Sequence, residues 1–222
     1  MHEGRIARNV FDGDHDEADC SKRAWARTMV HNTMVDALCR FLRDCGMVGV
    51  DMEVKYWDNA RVGADGSRRV PDVVCTHPRT GMQYVIDARI FWNAMSEGPT
   101  GYMAYSHSGW GAEHGEREKR TSWRKAMGRR ADDVEFVPFS IEAGGVWGPA
   151  ARKFFRECLA LADDDLDVDL YHWPSTRFSR AWFDSLSVLV ARGRAKVSVD
   201  AAASDWPKRI RDMQYVDVGD SD

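Results

Sequence analysis

From Trp25 to Cys45 the apolar residues Val30, Met34, Leu38, Phe41, Leu42 and Cys45 recur at steps of three and four. That is the period of one helix face. Gly46 follows, and glycine suits the backbone reversal that ends a helix. The period then shortens. In Met52–Trp57 (MEVKYW), Met52, Val54 and Tyr56 share one side of an extended chain, with Glu53, Lys55 and Trp57 on the other. A first strand is expected there. Asn59 to Ser67, with Gly63, Asp65 and Gly66, reads as a loop.

Two short apolar runs come next, Val70–Cys75 and Gln83–Ile90, on either side of His77-Pro78-Arg79-Thr80-Gly81. Pro and Gly between runs rich in Val, Ile and Tyr predict a β-hairpin. Each arm carries one acid, Asp72 after Pro71 and Asp87 between Ile86 and Ala88. Alternation puts Asp87 and Arg89 on one face and Ile86, Ala88 and Ile90 on the other. A carboxylate in an apolar strand is costly unless paired or bound to a cation. Two on adjacent arms repel, and a divalent ion such as Mg²⁺ would relieve both. The plainer alternative is a pair of solvated edge acids, each matched with a surface arginine.

The remaining pattern alternates irregular and periodic stretches. Phe91 to Gly111 is irregular and rich in aromatics (Phe91, Trp92, Tyr102, Tyr105, Trp110), suited to a binding loop or to packing over the core. Glu113–Arg130 reads as a helix with seven Lys/Arg against three Glu. Lys119 shares its only apolar stripe with Glu116, Trp123, Ala126 and Met127, so that face should turn inward and carry Lys119 with it. Arg117, Arg120, Arg124 and Lys125 would line the exposed side, where cations suit phosphates. Glu135–Ile141 is a strand, and Pro138 marks it as an edge or a bulge. Pro149 opens a helix to about Ala162. A last helix is expected from about Ser175 to Arg192, stopping near Gly193, with a loosely held tail from Lys196. The domain reading is a mobile acidic arm over 1–24 (Asp12, Asp14, Asp16, Glu17 and Asp19, with His15 among them). A core follows over 25–162, then a C-terminal helical extension and tail over 163–222, packed on the core.

Composition narrows the classes. A 222-residue chain that is 44% hydrophobic, with nine Trp and nine Phe, has ample material for a core. The net charge of −4 excludes a uniformly basic nucleic-acid coat, so any such contact needs a local patch. Five cysteines without a CxxC pair favour reduced thiols over disulfides or zinc. With no signal peptide or anchor in view, an intracellular, reducing compartment is expected, nucleus or cytoplasm, and no membrane partner. The sequence contains no Gly-rich phosphate loop, GxSxG or HExxH.

Pro71-Asp72, fourteen residues, then Asp87-Ala88-Arg89 resembles the signature of the PD-(D/E)XK nuclease superfamily. The resemblance runs from about His31 to Phe155. It looks closest to the restriction-like endonuclease domains of site-specific non-LTR retrotransposons and transposon-derived proteins, on the segments RRVPDVV, YVIDARI, EREKRTSW and FVPFSIEAGGVWGPAARKFF. It implies an α/β, restriction-endonuclease-like αβββαβ core with a mixed four-stranded sheet flanked by helices, plus C-terminal helices. It also implies that Asp72 and Asp87 hold Mg²⁺ or Mn²⁺ and that Lys119 is a catalytic lysine displaced onto the following helix. Arg89 stands where the family has lysine and would contact the scissile phosphate. Glu53 is a candidate third acid from a neighbouring strand. His31 is either a satisfied residue beside the apolar stripe or a metal ligand, as in the more distant viral cap-snatching endonucleases. The activity implied is metal-dependent cleavage of nucleic acid, DNA before RNA, by a homodimer or within a larger transposon-type machinery. The competing class is a catalytically inactive nuclease-fold protein that binds nucleic acid or serves assembly. A third is an unrelated α/β domain in which Asp72 and Asp87 do not converge.

Overall fold

In the computed structural model of the chain, the described residues are 24–52, 70–92, 107–128, 134–165 and 175–214. Among these described residues four helices and four strands follow in the order α1 (Ala24–Asp44), β1 (Val48–Met52), β2 (Val73–Thr76), β3 (Gln83–Phe91), α2 (Trp110–Met127), β4 (Glu135–Glu142), α3 (Pro149–Asp165) and α4 (Ser175–Gln214). The sheet order is β1-β2-β3-β4. The first three strands are antiparallel neighbours, whereas β4 runs parallel to β3, so the sheet is mixed.

Helix α1 buries the expected stripe, with Met34, Leu38, Phe41 and Leu42 inaccessible to solvent. It ends at Gly46, whose φ of 83° is open to glycine at no steric cost. There Gly46 N–H donates to Arg43 O and Met47 N–H to Leu42 O, the paired bonds that close a helix C-terminus. The chain enters β1 at Val48, four residues before the strand expected at Met52–Trp57. Only Met52 belongs to both, and Glu53 lies outside the described residues. In β1 only Val50 turns inward, and the register slips between Val48 and Asp51. A five-residue strand with one buried side chain and a bulge leaves no alternation to read.

The hairpin forms as expected. Val73 pairs with Ile86 and Thr76 with Gln83, and His77 N–H donates to Met82 O across the turn. Strand β4 is an edge, which accommodates Pro138 within a ladder. Ile86, Ala88 and Ile90 of β3 face the larger core with α1, α3 and α4, while Val85 faces a smaller one with Trp123, Met127 and Phe136 on the α2 side. In the larger core Phe41 stacks on Phe155 at 4.5 Å and Trp147 on Phe183 at 4.7 Å. The buried Trp147 indole donates to Ser187 Oγ at 2.7 Å. The described residues include no helix long and apolar enough to cross a membrane.

Helix α4 corrects the expected stop at Gly193 and the loose tail from Lys196. It continues to Gln214, and Val197 is buried. Gly193 is a contact, not a terminus: a Cβ there would lie 2.4 Å from Val30 Cγ1 of α1. The glycine lets two helices approach closely, and in sequence that cannot be told from a helix end. Gly193→Ala should therefore destabilise the protein by about 1–3 kcal/mol through overpacking, despite the better helix propensity of alanine. Urea unfolding measures this, and adding Val30→Ala should recover much of the loss. If the single variant unfolds like the wild type, the close approach is not limiting.

Candidate functional site

Strand β3 outruns β2. The β2–β3 ladder ends at Val73↔Ile86, but β3 continues five residues to Phe91 against β4 alone. Extending the register one and two steps would set Asp72 opposite Asp87 and Pro71 opposite Ala88. Proline has no N–H, so it cannot donate to the Ala88 carbonyl. Side chains take over both exposed peptide groups of Ala88. Its N–H donates to Asp72 Oδ2 at 2.6 Å, and its carbonyl faces His31 Nε2 of α1 at 3.3 Å.

Helix α2 closes the other side, held by glycines and by two buried glutamates. A Cβ on Gly111 would stand 2.3 Å from the Phe91 ring, and one on Gly115 2.9 Å from Ser140 Oγ. Their spacing of four residues makes a flat strip by which the helix lies directly on β3 and β4. Glu142, at the end of β4, accepts from Gly111 N–H at 2.8 Å with the same Oε1 that faces Ala112 N–H at 3.4 Å. It caps a helix whose own N-cap, Gly109, has no side chain to do so. Glu116 of α2 caps α3 in turn, accepting from Ala150 and Ala151 N–H at 2.8 and 2.9 Å. Gly148 leaves room for that carboxylate, since a Cβ there would overlap it. Burial raises the Glu116 pKa, and the two N–H groups with Arg120 and Arg152 offset this only in part.

So fixed, α2 aims Lys119 at β3, and Lys119 Nζ donates to Asp87 Oδ1 at 2.5 Å. Asp72 and Asp87 are near enough that the charge of Asp72 acts on Asp87. The two acids respond differently. Burial raises Asp87 and its neighbour Asp72 adds to that, more than Lys119 offsets. Burial also pushes Asp72 upward, but the His31 hydrogen bond and charge, the Ala88 N–H and Lys119 outweigh it, leaving Asp72 below the usual carboxylate range. His31 is raised chiefly by its bond to Asp72. Its Nε2 lies 3.6 Å from Asp72 Oδ2 and its Nδ1 3.3 Å from Asn32 Oδ1. Its ring nitrogens thus face Asp72, the Ala88 carbonyl and Asn32.

Of the other expected site residues that the structure describes, Arg89 is engaged by a partner and the basic residues of α2 are exposed. Arg89 shares the face of Asp87 but pairs with Glu118 at 2.5 Å and lies over the Phe91 ring. Glu118 also meets His114 at 3.3 Å, and His114 stacks on Trp110. Arg117, Arg120, Arg124 and Lys125 are exposed, and Arg117 pairs with Glu113. At 3.6 residues per turn, Arg117 and Arg124 stand roughly 140–160° around α2 from Lys119. Those two stand on the back of the helix, whereas the charge of Arg120 acts on the buried Glu116. Among the described residues, no group of three or more His, Cys, Asp or Glu is placed to hold a metal ion. Sequence reasoning passed over Gly111, Gly115, Glu142 and the capping role of Glu116. The string Gly111-Ala-Glu-His-Gly115 was the available signal for the first two.

A cleft of about 300 Å³ borders Asp87 and Lys119, lined also by Pro71, Ser122 and Trp123. The chain matches no protein-family model and no curated protein.

Two outcomes follow from this geometry. The His31 pKa is raised above 6.5 and that of Asp72 lowered below 3.8. The contribution of His31 to stability is therefore complete below its unfolded value and lost as pH rises through its folded one. That of Asp72 is complete above its unfolded value and lost as pH falls through its folded one. In metal-free protein followed by NMR, Asp72→Asn should bring the His31 titration back toward the ordinary value, and an unmoved titration would refute the pairing. Separately, Glu116→Ala should cost about 2–4 kcal/mol in chemical denaturation by stripping α3 of two charge-assisted bonds. A loss below about 0.5 kcal/mol, the size of an ordinary surface change, would refute the cap.

Proposed function

We propose that the chain is a divalent-metal-dependent endonuclease with a restriction-endonuclease-like core, cutting phosphodiester bonds of DNA. The observation that carries this reading is the meeting of Asp72, Asp87 and Lys119 where β3 runs on beyond β2. The element order helix, three strands, helix, strand supports the same family.

The donor set fits Mg²⁺ or Mn²⁺. Asp72 and Asp87 are adjacent hard-oxygen donors in electrostatic conflict, about a quarter to a third exposed, and such ions take one or two carboxylates while keeping several waters. Bound there, the metal supplies a more acidic water and a counter-charge for the leaving oxygen. Asp72 is kept ionised by His31 and the Ala88 N–H. The Lys119 ammonium, delivered from α2, can turn from Asp87 to a phosphate oxygen and neutralise the charge that develops there. His31 orients Asp72 from α1. Arg89, engaged by Glu118, reaches a phosphate only by exchanging that partner.

The competing reading, an inactive nuclease-fold protein that binds nucleic acid, draws on the Lys119–Asp87 pair, which compensates Asp87 without an ion.

Incubation with single- and double-stranded DNA and RNA in Mn²⁺, Mg²⁺ or EDTA separates the two. Metal-dependent cutting is expected, lost in Asp87→Asn and reduced about 10²–10⁴-fold in Lys119→Ala. Mn²⁺ at a hundredfold excess over its Kd should stabilise the wild type by about 2.7 kcal/mol, but not Asp87→Asn. Absence of both cutting and thermal stabilisation would leave the inactive binding protein.

A further inference from the structure

Two ion pairs of opposite sense cross from β3 to α2 side by side. Asp87 of the strand meets Lys119 of the helix, and Arg89 of the strand meets Glu118 of the helix. Asp87 and Arg89 share one face of β3, roughly 7 Å apart along the strand. Arg89 and Lys119 also line one cleft. The stem and the tip of Arg89 are held differently. Its stem runs past Gly115, where a Cβ would stand 3.3 Å from Arg89 Cδ, and its guanidinium carbon is 5.6 Å from the centre of the Phe91 ring. Its tip ends on Glu118, in a pair a third to a half exposed. An ion pair in that setting is weak and exchanges readily. Glu118 is anchored a second time: its other oxygen lies 3.3 Å from His114 Nε2, and His114 stacks on Trp110. Burial pushes the Glu118 carboxyl upward, but Arg89 and His114 outweigh it and leave it below the usual carboxylate range. Glu118 is thus a charged group that keeps one partner when the guanidinium leaves.

From this geometry we propose that Glu118 is a latch on Arg89. It holds the guanidinium away from the scissile phosphate in the free protein, and substrate binding exchanges the carboxylate for a phosphate oxygen. The proposal rests on the nuclease reading. A phosphate held beside Asp87 lies within the span of an arginine two residues along the same face. Guanidinium meets carboxylate and phosphate through the same fork of donors, so one can replace the other with only the tip of Arg89 moving. Glu118 is therefore a positioning residue, and it works against binding: each substrate molecule gives up the strength of the Arg89–Glu118 pair as it docks.

A double-mutant cycle tests the latch. Binding of a fluorescein-labelled DNA oligonucleotide, as a single strand and as a duplex, is measured by anisotropy in EDTA over a range of salt. With Arg89 present, Glu118→Gln should tighten binding about threefold to fivefold. It should also steepen the slope of log K against log salt by about 0.7–0.9, the value of one phosphate contact. In the Arg89→Ala background the same change should alter affinity by less than about twofold. In Mn²⁺, Glu118→Gln should lower the KM for cutting and leave kcat within about twofold of wild type, the pattern of a change in uniform binding. Melting temperatures in EDTA verify that each variant is folded. An equal gain with and without Arg89 would reduce Glu118 to a general negative charge, and no gain with Arg89 present would make the pair inert. Either result overturns the latch and leaves the nuclease reading standing where Mn²⁺-dependent cutting persists. A wild type that neither binds nor cuts either form of the oligonucleotide would overturn both.

Discussion

Two buried glutamates hold this molecule's chemistry in place. Glu142 reaches from the end of β4 to cap α2, and Glu116 reaches from α2 to cap α3. Helix N-termini leave N–H groups without intrahelical partners and carry a partial positive charge, so a carboxylate satisfies both needs at once. Each charge-assisted bond is worth about 1.5–3 kcal/mol, against a typical domain stability of about 5–15 kcal/mol. Strand, helix and helix are thereby linked in series. The position of Lys119 follows from the series: α2 is fixed at its first turn by Glu142, along its length by Gly111 and Gly115, and near its middle by the reach of Glu116. Each of these contacts bears on where the ammonium stands relative to Asp87.

The site is then a balance of unlike electrostatic environments on two adjacent acids. Asp72 has the imidazole of His31, the Ala88 N–H and a distant share of Lys119, and its pKa falls. Asp87 has Lys119 but also burial and the negative charge of Asp72, and its pKa rises. Neighbouring carboxylates whose environments separate their proton affinities are a common mark of functional sites. Pro71 is the backbone origin of the arrangement. By withholding an N–H from the ladder it leaves Ala88 exposed to side chains, so a single imino acid converts a strand end into a place where α1, β2 and β3 meet.

Much of this was legible from residues. The helical stripe of α1, the hairpin, the edge character of β4 and the inward turn of Lys119 all follow from periodicity and from the positions of Pro and Gly. The interaction of Asp72 with Asp87 was legible as a pair of acids that an apolar hairpin could not leave unmatched. What escaped was long-range or degenerate. Strand β1 carries one buried side chain and a bulge, so no alternation announced it. Gly193 is spelled like a helix end and acts as a helix contact. Glu142 ends a mostly apolar strand and Glu116 sits on a heavily charged helix, and only their partners, thirty or more residues distant, reveal why burial is tolerated. The partnership of Arg89 with Glu118 is likewise invisible until β3 and α2 are set side by side.

The dense run of positive charge on α2 shows why position matters more than count. Sequence singles out Arg117, Arg120, Arg124 and Lys125 because they are clustered, yet clustering along a helix spreads charge around it. Lys119 sits at the centre of the buried face and Arg117 and Arg124 nearly opposite, so one helix serves two surfaces about 10 Å apart. The cations that line a cleft with Lys119 are Arg27 of α1 and Arg89 of β3, both distant from it in sequence. A surface charge acts over roughly a Debye length of 8–10 Å at ordinary ionic strength. The stripe on the back of α2 therefore acts at its own surface, while the field beside Asp87 is set by residues that only the fold brings together.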